Sequence, residues 1–312
     1  MDIILLFPGQ GSQKPGMGKD LAEAFPAARD VFAEADRALG GSLSTLCFEG
    51  PESELTSTQN AQPALLAHGA AAWAVIRDRV APHVRAAAGH SLGEFTAYHA
   101  AGTLGLADAL RLVRRRGELM YQSGVERPGA MAAILGLDEQ AVEAACATAR
   151  GEGGAVVPAN YNTPEQLVIS GEVAAVERAM ALCKEAGAKR ALRLNVSGAF
   201  HSPLMEVASD GLRQALAAAR FAPPAFPVYS NVSTRGVCDT EEASALLLRQ
   251  LTSPVRWTEL VRHLASDYPG ALFVELGPGT VLTNLVRRIV PEAQTASCGT
   301  AADVDQLLQR IA

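Results

Sequence analysis

Three residue types with chemical capacity stand out along this sequence: a serine between small residues, a histidine in a later loop, and an arginine among apolar helical neighbours. The serine is Ser91, in Gly89-His90-Ser91-Leu92-Gly93. G-x-S-x-G is the pattern of a nucleophile elbow, a sharp strand-to-helix turn that lifts the hydroxyl clear of the backbone. The motif alone is weak, because a Gly-Ser turn without chemistry has the same composition. Context strengthens it. Val84 and Ala86 to Ala88 form an apolar run before it, and Phe95, Tyr98 and Leu104 follow at helix-compatible spacing. Gly89 and Gly93 allow the strand and helix to approach closely. An activated serine needs a base, and His201 lies in the loop Ser197-Gly198-Ala199-Phe200-His201-Ser202-Pro203, after the serine as a hydrolase order requires. His90 adjoins the serine but points elsewhere, His99 is a packing residue, and His68 and His83 are structural or exposed. The oxyanion of an acyl transfer needs two N–H donors. One is the amide after the nucleophile, at Leu92. The loop Pro8-Gly9-Gln10-Gly11-Ser12-Gln13 is placed to supply the other and fits no phosphate-loop pattern.

The arginine emerges from a charge run on the segment Ala107 to Tyr121, which carries Arg111, Arg114, Arg115 and Arg116. Helical residues three and four apart are neighbours. Those of Arg116 are Leu112, Val113, Leu119 and Met120, all apolar, whereas Arg114 and Arg115 have charged or small neighbours. Arg116 is therefore expected on the buried face. A buried guanidinium needs an anionic partner, because leaving it unpaired costs several kcal/mol. That partner is either a structural carboxylate or one on a ligand.

These residues need elements to position them. Asp2 to Phe7 reads as a buried strand leading into the Pro8–Gln13 loop. Asp20 to Leu39 and Ala61 to Val80 read as helices. From Gly129 to Val196 the pattern is strand (Met131–Leu135), helix capped by Asp138, strands Val156–Asn162 and Gln166–Ser170, helix Glu172–Ala186, and strand Ala188–Val196. That β-α-β-β-α-β order is ferredoxin-like and reads as an insertion in a larger α/β domain, with a cleft between the two bodies. Phe226–Asn231 and Leu272–Leu276 are further strands. Leu246–Leu251, Leu282–Ile289 and a segment from Thr300 are further helices.

The 312 residues suit one large domain or a large and a small one, and 48% apolar with 19% charged residues is ordinary for a globular enzyme. A net charge of −6 argues against nucleic-acid binding. The five cysteines are scattered without C-x-x-C spacing, which argues against a disulfide framework or a zinc site and suits a reducing compartment. The apolar start Ile3–Phe7 is too short for a signal peptide, and no run approaches a membrane span. The expected setting is the cytoplasm.

Taken together, the motifs resemble those of malonyl-CoA:acyl-carrier-protein transacylases and the acyltransferase domains of polyketide synthases. The resemblance spans nearly the whole chain. It is carried by Phe7-Pro8-Gly9-Gln10-Gly11-Ser12-Gln13, Gly89-His90-Ser91-Leu92-Gly93-Glu94, Arg116-Gly117, Asn160-Tyr161-Asn162, Gly198-Ala199-Phe200-His201-Ser202, Gln250, Pro254-Val255-Arg256-Trp257, and Glu275-Leu276-Gly277-Pro278-Gly279. It implies an α/β-hydrolase-like large subdomain (1–127 and 197–312) with an inserted ferredoxin-like small subdomain (128–196). It implies Ser91 as nucleophile, His201 as base, and Gln250 orienting that histidine largely through its backbone carbonyl. Gln10 and Leu92 would provide the oxyanion amides, Arg116 would bind the malonyl carboxylate, and Asn162 would be a pocket residue. Ala199-Phe200 resembles malonyl-selective members, since a bulky ring leaves less room for an α-branch. The implied reaction moves malonyl from malonyl-CoA to the phosphopantetheine thiol of acyl carrier protein, without metal or cofactor, in fatty acid synthesis. A trans-acting polyketide acyltransferase would share every one of these residues. A thioesterase or acyl hydrolase would share the elbow but has no use for Arg116, and a non-catalytic docking module has no use for the full set. Because carrier proteins are acidic, a local basic patch drawn from Arg114, Arg115, Lys184, Lys189, Arg190, Arg287 and Arg288 is expected to dock the partner.

Overall fold

A computed structural model describes residues 1–311. Its centre is β1 (Ile3–Phe7), five apolar residues in succession, every one buried. A strand with both faces covered belongs inside a parallel sheet. Ile3, Leu5 and Phe7 enter one core and Ile4 and Leu6 the other, so successive side chains serve opposite layers. The remaining strands are β2 (Val84–Gly89), β3 (Gly129–Leu135), β4 (Val156–Thr163), β5 (Gln166–Glu172), β6 (Arg190–Arg193), β7 (Val228–Tyr229), β8 (Gly236–Val237), β9 (Leu272–Glu275) and β10 (Gln294–Ser297). The large sheet has the order β10-β9-β1-β2-β7-β8, parallel except for the edge strand β8. One core takes in the helices Thr58–Val80 and Leu106–Glu126, and the other takes in Trp257–Asp267 and Val281–Ile289. No helix among the described residues is long and apolar enough to cross a membrane.

A second sheet, entirely antiparallel, has the order β4-β5-β3-β6. Its helices Glu139–Gly151 and Val173–Glu185 share a separate apolar core with it. Asp138 caps the first, its carboxylate accepting from the Ala141 amide at 2.8 Å. The two sheets are joined through Val255, whose amide donates to Ala159 O at 2.8 Å and whose carbonyl accepts from Tyr161 N at 2.9 Å.

Several elements differ from the sequence expectation. The Asp20–Leu39 segment is two helices, Lys19–Ala24 and Pro26–Leu39. Phe25 between them is extended, because the residue before a proline is pushed out of the helical region. Strand β6 ends at Arg193; the Leu194 amide still donates to Met131 O of β3 at 2.9 Å, and Leu194 to Val196 line a cavity. Strand β7 stops at Tyr229, because Asn231 is engaged by the serine turn. The Thr240–Gln250 helix starts six residues before Leu246, capped by Asp239. The helix Trp257–Asp267 and the edge strand β10, polar in composition, were not expected.

Two glycines control how close the elbow sits to the sheet. A Cβ on Gly93 would lie 2.0 Å from Phe7 O, and one on Gly89 would lie 1.8 Å from the Gly93 carbonyl carbon. Neither neighbour is a side chain that could swing away. Gly93→Ala is expected to lower unfolding stability in urea by about 3 kcal/mol or more. Gly151→Ala, at a helix end with no atom within 4 Å of the added carbon, is expected to raise it by about 0.5–1 kcal/mol.

Candidate active site

Strand β2 delivers Ser91 to the turn before the helix Gly93–Ala100. Ser91 has φ 51°, a left-handed conformation costing a non-glycine residue about 1–3 kcal/mol. Asn231 braces the turn. Its Oδ1 accepts from Ser91 N at 2.7 Å, and its Nδ2 donates to Gly89 O at 2.7 Å. Its own amide donates to Glu94 Oε2 at 3.0 Å.

His201, also left-handed at φ 56°, brings Nε2 to 2.8 Å from Ser91 Oγ. Its Nδ1 lies 2.9 Å from the Gln250 carbonyl oxygen. A carbonyl only accepts, so Nδ1 carries the proton and Nε2 is left bare to accept from the serine hydroxyl. Burial, then the nearby Arg116 charge, push the imidazole down to about 3. It is thus neutral and ready to take a proton at ordinary pH. Ser91 Oγ, the His201 ring and the Gln250 carbonyl thus stand in one hydrogen-bonded series.

Arg116 is 1% exposed, as its helix-face position required. Its hydrogen-bond acceptors are all neutral: Gln62 Oε1 at 2.9 Å, Ser91 Oγ at 3.1 Å and Gln250 Oε1 at 3.0 Å. Its Nε has no acceptor among the described residues. No carboxylate of the described residues makes an ion pair with it. Phe95 lies beneath the guanidinium, its ring centre 5.5 Å away. The arrangement is a desolvated cation beside the nucleophile with an unused donor.

Gln10, Ser91, Leu92, Arg116, Phe200 and His201 line one cavity of about 330 Å³. Met120, Met131, Leu194 and Val196 form its apolar wall. The backbone amides of Gln10 and Leu92 donate to no group among the described residues. Asn162 departs from the expectation. It does not line the cavity, because its Oδ1 is taken by His90 Nε2 at 2.8 Å, and Asn160 faces the cavity instead. His90 itself lines the cavity, its ring centre 5.5 Å from that of Trp257. His68 and His99 bond the carbonyls of Gly299 and Leu104.

Glu94, Asn231 and Gln62 belong to the site without having been singled out. Glu94 and Gln62 are 0% and 1% exposed and sit among apolar residues in sequence. The neighbour count that isolated Arg116 finds neither, because Glu94 has His90 and Ser91, and Gln62 has Thr58 and Gln59, one turn before it. Asn231 carries no signal either, since it follows a strand in a polar stretch.

Burial lowers the pKa of His68, to about 4, and that of His201, to about 3; it also lowers those of His90 and His99. Each imidazole takes up a proton more readily in the unfolded chain. Below pH about 6.5 the unfolded state therefore binds more protons, and stability falls with acidification. Burial raises the pKa of the Glu94 and Glu275 carboxyls, which works in the opposite direction. Four imidazoles against two carboxyls leave a net loss between pH 6.5 and 4.5. His68→Gln, remote from Ser91, should flatten the pH dependence of the urea-unfolding free energy by about 1 kcal/mol per pH unit in that window.

Comparison with known proteins gives the family of the chain. Residues 4–306 match the family described as acyl transferase domain. A malonyl CoA-acyl carrier protein transacylase of Haemophilus influenzae is 46% identical over 304 residues, covering 96% of each chain. The Bacillus subtilis protein of the same description is 43% identical, covering 99% of this chain and 97% of its own. The crystal structure of an acyl-carrier-protein S-malonyltransferase from Bartonella henselae superposes with a TM-score of 0.95 at 43% identity, over 100% of this chain and 99% of the other. A malonyl-transacylase solved in complex with a type II polyketide acyl-carrier protein superposes with a TM-score of 0.95 at 44% identity, over 99% and 100%. With the family match spanning almost its entire length, the chain belongs to the acyl transferase domain family.

Proposed function

We propose that this chain transfers malonyl from malonyl-CoA to the phosphopantetheine thiol of acyl carrier protein through a malonyl-serine ester. The carrying observation is the buried, ionically unpaired Arg116 bonded to the hydroxyl of Ser91. A cation so placed selects an acyl group bearing its own carboxylate. In acylation, His201 Nε2 takes the Ser91 proton while the oxygen attacks the thioester carbon. The amides of Leu92 and Gln10 receive the oxyanion. The C–S bond breaks and the proton passes to the departing CoA sulfur. The carrier thiol then attacks the ester, His201 again serving as base, and Ser91 Oγ recovers its proton. Thioester and ester are close in energy, so the exchange needs no metal, cofactor or nucleotide. Gln250 orients His201 by its carbonyl, and Phe200 restricts branching at the acyl α-carbon. Asn162 is assigned an indirect part, holding His90 at the rim.

In this reading the fold is an α/β-hydrolase-like subdomain (1–127 and 197–312) with a ferredoxin-like insert (128–196). The sheet orders and the separate small core support that division. The setting is the cytoplasm. Of the basic residues considered for docking the carrier, Arg115 is paired with Glu118, and Arg288 bonds Gln166 across the two sheets. The chemistry would serve fatty acid synthesis, and the likeness to the polyketide complex gives the polyketide reading the same residues. A hydrolase of neutral acyl groups would have no partner for Arg116.

Brief exposure to malonyl-CoA, followed by intact-mass analysis, should show one malonyl adduct that Ser91→Ala abolishes. Arg116→Ala should cut the malonyl loading rate about a hundredfold and admit acetyl from acetyl-CoA. Phe200→Ser should shift the methylmalonyl-to-malonyl loading ratio upward by about tenfold. Equal loading by acetyl-CoA in the unmodified enzyme would overturn the assignment.

A further inference from the structure

Among the described residues, Arg116, Glu94 and Glu275 are the buried members of the Asp, Glu, Lys and Arg set. Glu275 is committed elsewhere, accepting from the amides of Leu282 and Thr283 at 2.9 and 2.8 Å at the start of a helix. Glu94 and Arg116 are therefore the one pair of opposite buried charges. They are not in contact. The Gln250 side-chain amide stands between them, with Oε1 at 3.0 Å from Arg116 Nη2 and Nε2 at 2.7 Å from Glu94 Oε2. The amide cannot be flipped, because only its oxygen can face the cation and only its nitrogen the anion. Gln250 Nε2 also donates to Ser91 O at 3.0 Å, so the bridge is tied to the nucleophile's own backbone.

We propose that Glu94 is the buried counter-charge of Arg116, relayed through the Gln250 amide, and that it sets how tightly Arg116 grips an acyl carboxylate. This rests on the reading of Arg116 as the carboxylate clamp. A carboxylate bonded directly to Arg116 would compete with substrate for the same donors. An anion one amide away supplies the compensating field, yet leaves the guanidinium's donors to neutral groups that a ligand can displace. Glu94 is a positioning residue, acting on the substrate only through Arg116 and Gln250.

Glu94→Gln preserves the shape and an oxygen to accept from Asn231 N and Gln250 Nε2, removes the charge, and puts an amide nitrogen where the buried Oε1 has no partner, a cost that the double variant shares and that the comparison of single with double variant cancels. Arg116 then has no anion but the ligand. The test is made at pH 8, where the Glu94 carboxyl, pushed up to about 7 by burial, is ionised. In a Ser91→Ala background, which blocks acylation, Glu94→Gln should tighten the Kd of malonyl-CoA on the order of tenfold and leave that of acetyl-CoA unchanged. Without ligand, Glu94→Gln should lower the Tm, and adding Arg116→Met should raise it again, since the orphaned cation is gone. If Glu94→Gln fails to fold and the double variant folds, the counter-charge role stands. The proposal falls if malonyl-CoA affinity does not tighten, if acetyl-CoA affinity moves with it, or if the double variant is no more stable than the single one. Equal affinities for the two thioesters before any change at Glu94 would instead overturn the clamp reading of Arg116, while the Tm comparison still judges the charge pair.

Discussion

The left-handed turn at Ser91 is the constraint around which the molecule is arranged. A serine does not adopt φ 51° unaided, so neighbours on three sides hold it. The His90 amide donates to Phe7 O at 3.0 Å, which ties the turn to the central strand. Gly93 packs on that same carbonyl, and Asn231 pins the turn from the end of β7. The parallel β1–β2 pairing ends Phe7 opposite Gly89. The Pro8–Gln13 loop consequently emerges beside the serine, and the Gln10 amide reaches the same cavity as the Leu92 amide.

Around that turn the site is built mainly from neutral polar groups. Gln62, Gln250, Asn231 and the His201 ring are all buried and all hydrogen-bonded. In a low-dielectric interior such a network is rigid when satisfied and costly when broken. Gln250 is its junction. Its carbonyl meets His201 Nδ1, its amide oxygen meets the Arg116 guanidinium, and its amide nitrogen meets both Ser91 O and Glu94. One residue at one helix end, through its backbone carbonyl and its side-chain amide, thus ties together His201, Arg116 and Ser91.

Much of this was legible in the sequence where a residue type conflicted with its surroundings. Arg116 declared itself by four apolar neighbours, and Ser91 by the glycines that bracket it. The role of Gln250 was not legible from residue type, because the atom that orients His201 is a backbone oxygen that any residue carries. Edge strand β10 carries no sequence signal because Gln294-Thr295-Ala296-Ser297 has no apolar alternation, and none of its four residues is buried. The helix split at Phe25 was legible in principle from Pro26, but apolar spacing continuing through it hid the break. Asn162 stands two residues from Asn160 on the same strand, and spacing alone could not say which one His90 would occupy.

The histidine's second nitrogen rests on a carbonyl dipole and not on an ion. A carboxylate in that place would stabilise imidazolium and make the ring a stronger base. With only a dipole, and with Arg116 nearby, holding a proton on the ring is costly. A departing thiolate is a good leaving group and demands little of the acid that follows it. An amide nitrogen demands far more, since it must be protonated before it can leave. In the proposed reaction the weakly basic ring would therefore act as a chemical filter, sufficient where the group that leaves is a thiolate and poorly suited to a peptide bond.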